Sequence, residues 1–328
     1  MADTIALVGS ESLLGREVRD AIGESQLGNA LRLVAAPEES AGKLTDAAGE
    51  PAVLAKMDLA SFDGATAIVL ACSPETALQV KSFGASGTLV DLSYALEDMP
   101  GARLRAPLVE PHDFRVPHDA VQVMAHPAAI ALALLLGRIH PVFPIARTVA
   151  VVFEPASERG AAGIDELQMQ TVNLLSFKPL PKAVYDAQVS YAMLPRFGDD
   201  AKITLEEIES RMERHLATLL ANGSGAPVPS LRLVQAPVFH GYSFSLWMEF
   251  AERPGVAALE QLLDESPIDV RNQDAEPANN VGAAGHGGVV VGSILPDRNN
   301  PRALWLWMAA DNLKLSADNA FQVVQEVL

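Results

Sequence analysis

Cysteine is almost missing: Cys72 is the one thiol in 328 residues. An internal disulfide is excluded, and this usage fits a reducing compartment. Positive charge is also short. There are 24 Lys and Arg against 41 Asp and Glu, a formal net charge of −17. A chain of that sign repels phosphate backbones and anionic lipid, so nucleic acid and membrane surfaces are not expected partners. Long apolar runs are missing too. The longest, Ala128 to Leu136, falls far short of the ~20 residues that span a bilayer. The opening Met-Ala-Asp-Thr has neither the basic region nor the apolar core of an export signal. These absences together suggest a cytoplasmic protein. The seven histidines are scattered without the paired spacing of a zinc site, so no metal is expected. No internal repeat is visible.

What is present is an ordinary globular composition, 49% hydrophobic and 20% charged, over a length that suggests about two domains. Thr4 to Val8 is a continuous apolar run, the pattern of a strand buried on both faces. Gly9-Ser10-Glu11-Ser12-Leu13-Leu14-Gly15 follows, then a helical pattern with Val18, Ile22 and Leu27. Strand, tight turn and helix in this order open a dinucleotide-binding unit of Rossmann type. In such a unit the first glycine permits the turn, the middle one lets phosphate reach bare backbone, and the last lets helix pack on strand. Here Gly9 and Gly15 are present, the middle position is Ser12, and Glu11 puts a negative charge where phosphate would lie.

Leu31 to Ala35 reads as the second strand and leads into Pro37-Glu38-Glu39-Ser40-Ala41-Gly42-Lys43. An arginine after this strand would pair with the 2′-phosphate of NADP, and an acid would bond the NAD ribose. Two glutamates argue against NADP; a merely solvated acidic turn is the other reading. Ala67 to Ala71 is a further buried strand, ending at Cys72-Ser73-Pro74-Glu75, a helix start. Cys72 is either a thiol activated by that helix end or a small side chain filling a gap. Leu89 to Ser93 and Val121 to Met124 read as strands, and Pro100 to Pro117 as loop.

The second half changes character. Arg147 to Phe153 reads as a strand and Gly163 to Leu175 as a helix. Thr204 to Glu207 is a capping box, opening a helix with Leu205, Ile208, Met212, Leu216 and Leu219 inward. Strands are expected over Leu231 to Pro237, Ser243 to Glu252, Val289 to Ile294 and Ala303 to Met308. The glycine loop Ala283 to Gly288 precedes its strand rather than following it, so it is not a phosphate loop. A last helix is expected over Ala317 to Leu328, capped by Ser316.

In order and spacing these pieces resemble the aspartate-semialdehyde dehydrogenase family over most of the chain. The carriers are Val8-Gly9 to Gly15, Ser40-Ala41-Gly42-Lys43, Asp91-Leu92-Ser93, Pro107 to Pro111, Glu166-Leu167 with Gln170-Thr171, Gln235-Ala236-Pro237-Val238 with Gly241, Val291-Gly292, and Asp311-Asn312-Leu313-Lys314 with Asn319-Ala320. The wording Gln-Ala-Pro-Val-Phe-x-Gly is most similar to the Usg-type paralogues. The resemblance implies a Rossmann-like parallel-sheet domain over 1–126, an α+β dimerisation and substrate domain over 127–310, and a C-terminal helix over 311–328 returning to the first domain. It implies a homodimer and cofactor contacts at Gly9, Ser10, Ser12, Leu13, Gly15, Glu39, Ser40 and Asn312.

In active members a cysteine at a helix N-terminus attacks the aldehyde, hydride passes to NADP, and phosphate releases the acyl group. Carried over residue by residue, that machinery is gone. The nucleophile falls on Ala128, or on Ala129 if the register slips by one. The active-site glutamine falls on Glu154, the substrate-clamping arginine on Gln235, the histidine base on Tyr242 and the 2′-phosphate arginine on Glu39. Tyrosine, with a reference pKa of about 10, is a poor base near neutrality. The expectation is a non-catalytic dimeric relative with weak or no nucleotide binding. The alternative is an NAD(P)-dependent semialdehyde dehydrogenase or carbonyl oxidoreductase of amino-acid biosynthesis with altered chemistry, using Tyr242, His240 or Cys72.

Overall fold

The computed structural model describes residues 4–47, 49–111, 113–117, 120–272 and 274–328. The chain divides into two compact units, one holding the chain up to Ala125 with Ser316–Leu328, the other His126–Leu315.

The first unit is a parallel sheet with helices. Its elements are β1 (Ile5–Val8), α1 (Leu13–Gly23), β2 (Leu31–Val34), the hairpin β3 (Leu44–Ala47) and β4 (Glu50–Val53), β5 (Ala67–Leu70), α2 (Pro74–Ser82), β6 (Thr88–Asp91), β7 (Arg103–Arg105) and β8 (Gln122–Met124). The six-stranded order is β2-β1-β5-β6-β8-β7, with every pair parallel. β1 and β5 are buried at every position, because helices cover both faces of such a sheet and leave no side for alternation. One core cluster joins Ile5, Leu7, Val18 and Ile22 to Ala317, Ala320, Val323 and Val324 of the C-terminal helix. The other joins Ala6, Val8, Ile68 and Leu70 to Ala77 and Val80 of α2. The proline-rich stretch Pro100 to Pro117 is not all loop. β7 lies in it, pairing with β8 at the sheet edge, and three residues are too few to show a period. His112 of that stretch lies outside the described residues.

The second unit holds α3 (Pro127–Ile139), β9 (Ile145–Glu154), α4 (Gly160–Leu175), α5 (Leu205–Asn222), β10 (Ser230–Gln235), β11 (Tyr242–Phe250), α6 (Val256–Leu263), β12 (Ile268–Arg271), β13 (Val289–Pro296) and β14 (Ala303–Ala310). Its mixed sheet runs β10-β9-β11-β14-β13-β12. Antiparallel pairs occupy the centre, and the two edge pairs are parallel. β11 alternates buried and half-buried positions over most of its length, as a strand with one face on a core does. The Thr204–Glu207 capping box forms: the Thr204 hydroxyl accepts the Glu207 N–H at 3.1 Å and the Glu207 carboxylate accepts the Thr204 N–H at 2.8 Å.

The last helix, α7, spans Asn312–Val327. It starts five residues before the expected Ala317, so Ser316 is inside it and is not its cap. Asp311 fills that role, its Oδ1 accepting the N–H groups of Leu313 and Lys314 at 3.0 Å each. An aspartate before the first turn is as good a cap as serine.

Gly9 and Gly15 are required by packing, whatever the loop binds. Gly9 has φ +82°, and a Cβ there would lie 2.4 Å from the Ala71 carbonyl oxygen. A Cβ on Gly15 would lie 1.9 Å from the Gly9 carbonyl oxygen. Gly15→Ala is expected to lower unfolding free energy by about 3 kcal/mol, the upper range for overpacking, read as a lower midpoint in urea.

Candidate active site

Ala128, the expected nucleophile position, lies at the start of α3. His126 is the N-cap, Pro127 the first helical residue, and Ala128 and Ala129 are fully buried. The Ala128 N–H donates to His126 Nδ1 at 3.3 Å, and the His126 N–H donates to His215 Nδ1 at 3.0 Å. Both side chains are methyl groups, which carry neither a lone pair nor an ionisable proton. Burial, with His215, Arg159 and Arg211 adding, holds the His126 imidazole well below its ordinary pKa, so it is neutral near pH 7.

The rest of the site gathers at strand ends. β9 ends at Glu154 and β10 at Gln235, which are paired in register. Gln235 Nε2 donates to the backbone oxygens of Glu154 at 2.9 Å and Ala236 at 3.0 Å, locking the amide across the two strands. Its Oε1 is buried without a hydrogen-bond partner among the described residues, as are both carboxylate oxygens of Glu154. The ion pair of Glu154 is with Arg159 Nη2 at 3.3 Å. Burial pushes the Glu154 carboxyl up to about 7 against the pull of Arg159. Glu158 is raised in the same direction, also by burial, against Arg159 and an Asn312 hydrogen bond. Burial alone would depress Arg159, but Glu154 and Glu158 outweigh it and secure its charge.

The 3₁₀ turn Ala156–Arg159 therefore supplies three polar side chains that sequence reasoning passed over: Ser157, Glu158 and Arg159. They meet the segment before β11 and the end of β14. His240 Nε2 is 2.9 Å from Asp311 Oδ1, and His240 Nδ1 is 3.2 Å from Ser157 Oγ. Burial pushes Asp311 up, but His240 and the amides of Gly285 and Lys314 outweigh it, so the carboxylate lies below its ordinary range. Tyr242 is fully buried, its ring 6.0 Å from that of His126.

Asn312, expected among the cofactor contacts, has both ends of its amide engaged inside this cluster. Its Oδ1 accepts from Ser157 Oγ at 3.2 Å and the Gly241 N–H at 3.3 Å, and its Nδ2 donates to Glu158 at 2.7 Å. Of the predicted site residues, Glu154, Gln235, Tyr242 and His240 gather here, with Ala128 at the helix whose His126 lies 4.0 Å from Glu158. The run Glu154-Pro155-Ala156-Ser157-Glu158-Arg159 was the signal that could have found the missed turn. Three charged side chains in six residues after an apolar strand are costly to bury unless they pair.

The other predicted residues belong to the first unit. Ser12 caps α1, accepting the Gly15 N–H at 2.9 Å and donating to the Ala71 carbonyl at 2.9 Å. Glu39 does not project freely. Its two oxygens accept the N–H groups of Glu11 at 2.8 Å and Ala36 at 3.0 Å. Nor is Glu11 a bare charge in the loop: it binds Lys43 at 2.6 Å, Thr45 at 2.9 Å and Arg19 at 3.1 Å. Ser10 is buried, Leu13 opens the helix, and Ser40 lies in the turn after Glu39. Of the two readings of Cys72, the packing agrees with a small side chain filling a gap. Burial pushes its thiol up, with Asp91, Glu38 and Glu39 adding, so the helix end does not activate it. Among the described residues no cluster of His, Cys, Asp or Glu could hold a metal ion, and no helix is long and apolar enough to cross a membrane.

The raised Glu154 has a thermodynamic signature. A carboxyl that binds its proton more tightly when folded contributes stability that is complete below about 4.3, its unfolded pKa, and is lost as pH rises through about 7. Glu154→Gln removes that loss. The variant's stability relative to the natural protein should therefore rise from pH 5 to pH 8, by at most about 1.4 kcal/mol per pH unit. Urea titrations at several pH values measure it; a flat difference would refute the buried ionisable carboxyl.

Known proteins resemble this chain in both sequence and fold. The family profile described as semialdehyde dehydrogenase, dimerisation domain, matches residues 136–315. A USG-1 protein homolog from Azotobacter vinelandii is 28% identical over 332 residues, covering 98% of this chain and 96% of its own. An aspartate-semialdehyde dehydrogenase from Aquifex aeolicus is 28% identical over 342 residues, 99% of this chain and 98% of that one. The solved structure of a probable aspartate-semialdehyde dehydrogenase from Pseudomonas aeruginosa superposes with a TM-score of 0.85 at 23% identity, over 100% of this chain and 98% of that one; at that identity it speaks for the fold. With its parallel-sheet unit, its mixed-sheet unit and a family match over more than half its length, the chain belongs to the semialdehyde dehydrogenase family.

Proposed function

We propose that this protein is a homodimeric member of the family that does not perform the thiol-dependent oxidation of an aldehyde and holds a nicotinamide dinucleotide weakly or not at all. The observation that carries this reading is the start of α3, where Ala128 and Ala129 are sealed in the core with no side chain able to form a thioester. The surrounding substitutions agree with it. Gln235 in place of a clamping arginine has no charge for a carboxylate substrate, and Tyr242 in place of a base is a fully buried phenol, a poor base near neutrality.

Weak nucleotide binding follows from the phosphate loop. The Glu11 N–H, which would face a phosphate, is taken by the Glu39 carboxylate, and the same carboxylate would repel a 2′-phosphate. Calorimetric titration should show no NADP binding at millimolar concentration and at most weak NAD binding. Ala128→Cys should give no aldehyde-dependent reduction of either dinucleotide, because a thiol alone restores neither base nor clamp. Tight NADP binding, or turnover by the cysteine variant, would sink the reading.

The homodimer rests on the family's dimerisation domain and on an uncovered apolar surface. Along α4 and the segment after it, Met169, Val172, Leu175, Phe177, Tyr191 and Met193 are all exposed. Phe177 is 98% exposed, and apolar side chains grouped in this way mark an interaction surface. Val172→Glu should convert the dimer to a monomer, measured by size-exclusion chromatography with light scattering, with the unfolding midpoint little changed.

A further inference from the structure

We propose that Ser157, His240 and Asp311 form a nucleophile, base and orienting carboxylate that hydrolyse small uncharged acyl esters through an acyl-Ser157 intermediate. This goes beyond the reading above and needs neither nicotinamide nor a thiol.

The array is defined by which imidazole nitrogen faces which partner. His240 Nε2 is 2.9 Å from Asp311 Oδ1 and Nδ1 is 3.2 Å from Ser157 Oγ. The Asp311 carboxylate is fixed in place by the backbone N–H groups of Gly285 at 2.8 Å and of Leu313 and Lys314 at 3.0 Å. An ionised carboxylate only accepts hydrogen bonds. The proton of the neutral ring therefore sits on Nε2, toward Asp311, and Nδ1 presents its lone pair to the serine hydroxyl. Nucleophilic serines need this relation: hydroxyl and carboxylate on opposite nitrogens, with the tautomer set by the carboxylate.

Ser157 Oγ has two acceptors at the same distance, His240 Nδ1 and Asn312 Oδ1, each 3.2 Å away. Its single proton can bond one at a time. Asn312 is itself held by Gly241 and Glu158, so it is a fixed resting partner, and turning the proton toward His240 arms the oxygen. Two residues further along the same turn, Arg159 Nε is buried with no hydrogen-bond partner among the described residues. An unpaired donor on a buried cation is rare in folded proteins. Carried on the same turn as Ser157, it is the kind of donor that can stabilise a developing oxyanion.

The substrate class follows from charge and access. Glu154, Glu158 and Asp311 stand against one guanidinium, Arg159, with His126 neutral. The ionised Asp311, and the pairing of Arg159 with Glu154, disfavour free acids and acyl phosphates. Ser157 is 3% exposed, whereas the His240 side chain is 30% exposed. Approach is thus along the histidine edge, and a small ester reaches the buried hydroxyl more readily than a bulky one.

The chemistry balances without an oxidant. Ser157 Oγ bonds the carbonyl carbon as its proton moves to His240 Nδ1. The carbon–oxygen bond to the alcohol breaks, and the alcohol leaves with that proton. Water then gives a proton to Nδ1 and attacks the acyl-serine. Collapse releases the carboxylic acid and returns the proton to Ser157 Oγ.

The test uses the purified full chain with a fluorophosphonate probe, peptide mapping of the label, and p-nitrophenyl acetate hydrolysis. The expected result is a label on Ser157 and hydrolysis above buffer that falls as acid protonates His240. Ser157→Ala should lose the label and the enzymatic rate. His240→Gln should lower the rate about 100-fold or more, the usual contribution of a general base. Asp311 acts through His240 as a positioning residue, so Asp311→Asn should lower the rate and reshape its pH profile while Ser157→Cys keeps a burst of nitrophenol. Circular dichroism and urea midpoints establish that each variant folds. A folded natural protein that takes no label on Ser157, or hydrolysis unchanged by Ser157→Ala, overturns the proposal. Label on Ser157 without ester turnover overturns the ester class. Dinucleotide binding would overturn the earlier reading and leave this one untouched.

Discussion

The side chains of Asp311 and Asn312 organise the centre of the second unit. β14 delivers them side by side, and each makes several hydrogen bonds at once. The Asp311 carboxylate holds the His240 ring, the glycine loop at Gly285 and the first amides of α7. The Asn312 amide holds Ser157, Glu158 and Gly241. A buried carboxylate is costly unless donors surround it, and here four converge on it. The polar cluster is thus tied to the sheet through two residues, and losing either would leave several buried groups unpaired.

In the first unit the Rossmann-like frame is held by contacts that need no ligand. Gly9 and Gly15 are kept by steric contact between strand and helix, which has no connection to phosphate. The loop between them is occupied by the protein's own carboxylates. Glu39 takes an amide that would face an anion, and Glu11 gathers Lys43, Arg19 and Thr45. Fold and ligand chemistry rest on different atoms of the same stretch, so the fold alone does not fix the chemistry.

Much of the architecture was legible beforehand, because buried parallel strands, glycine turns and a capping box are local patterns. Thr4 to Val8, Gly9 to Gly15 and Thr204 to Glu207 each carry their own explanation within a few residues. The errors were of two kinds. β7 is too short to display a period and exists because β8 offers it an edge. The start of α7 was misplaced because Ser316 looked like a cap, while Asp311 already satisfied the first amides. The candidate site was half legible. Ala128, Glu154, Gln235 and Tyr242 could be singled out by position, because the resemblance carries family roles onto them. Ser157, Glu158 and Arg159 could not, since nothing local says that they face His240, Asp311 and Asn312.

By itself the sequence determined what local chemistry determines: which segments alternate or stay apolar, where helices are capped, and that no thiol stands at the start of α3. The tertiary structure alone decided what each polar side chain does. At its helix start Cys72 allowed two readings, an activated thiol or a small side chain filling a gap, and burial with Asp91, Glu38 and Glu39 nearby favours the second. His240 looked displaced from its family position, and contact with residues 83 positions before it and 71 after it gave it a hydroxyl on one nitrogen and a carboxylate on the other. Protonation and hydrogen bonding depend on distance and dielectric, which are properties of the folded surroundings and are not encoded in any short stretch of chain.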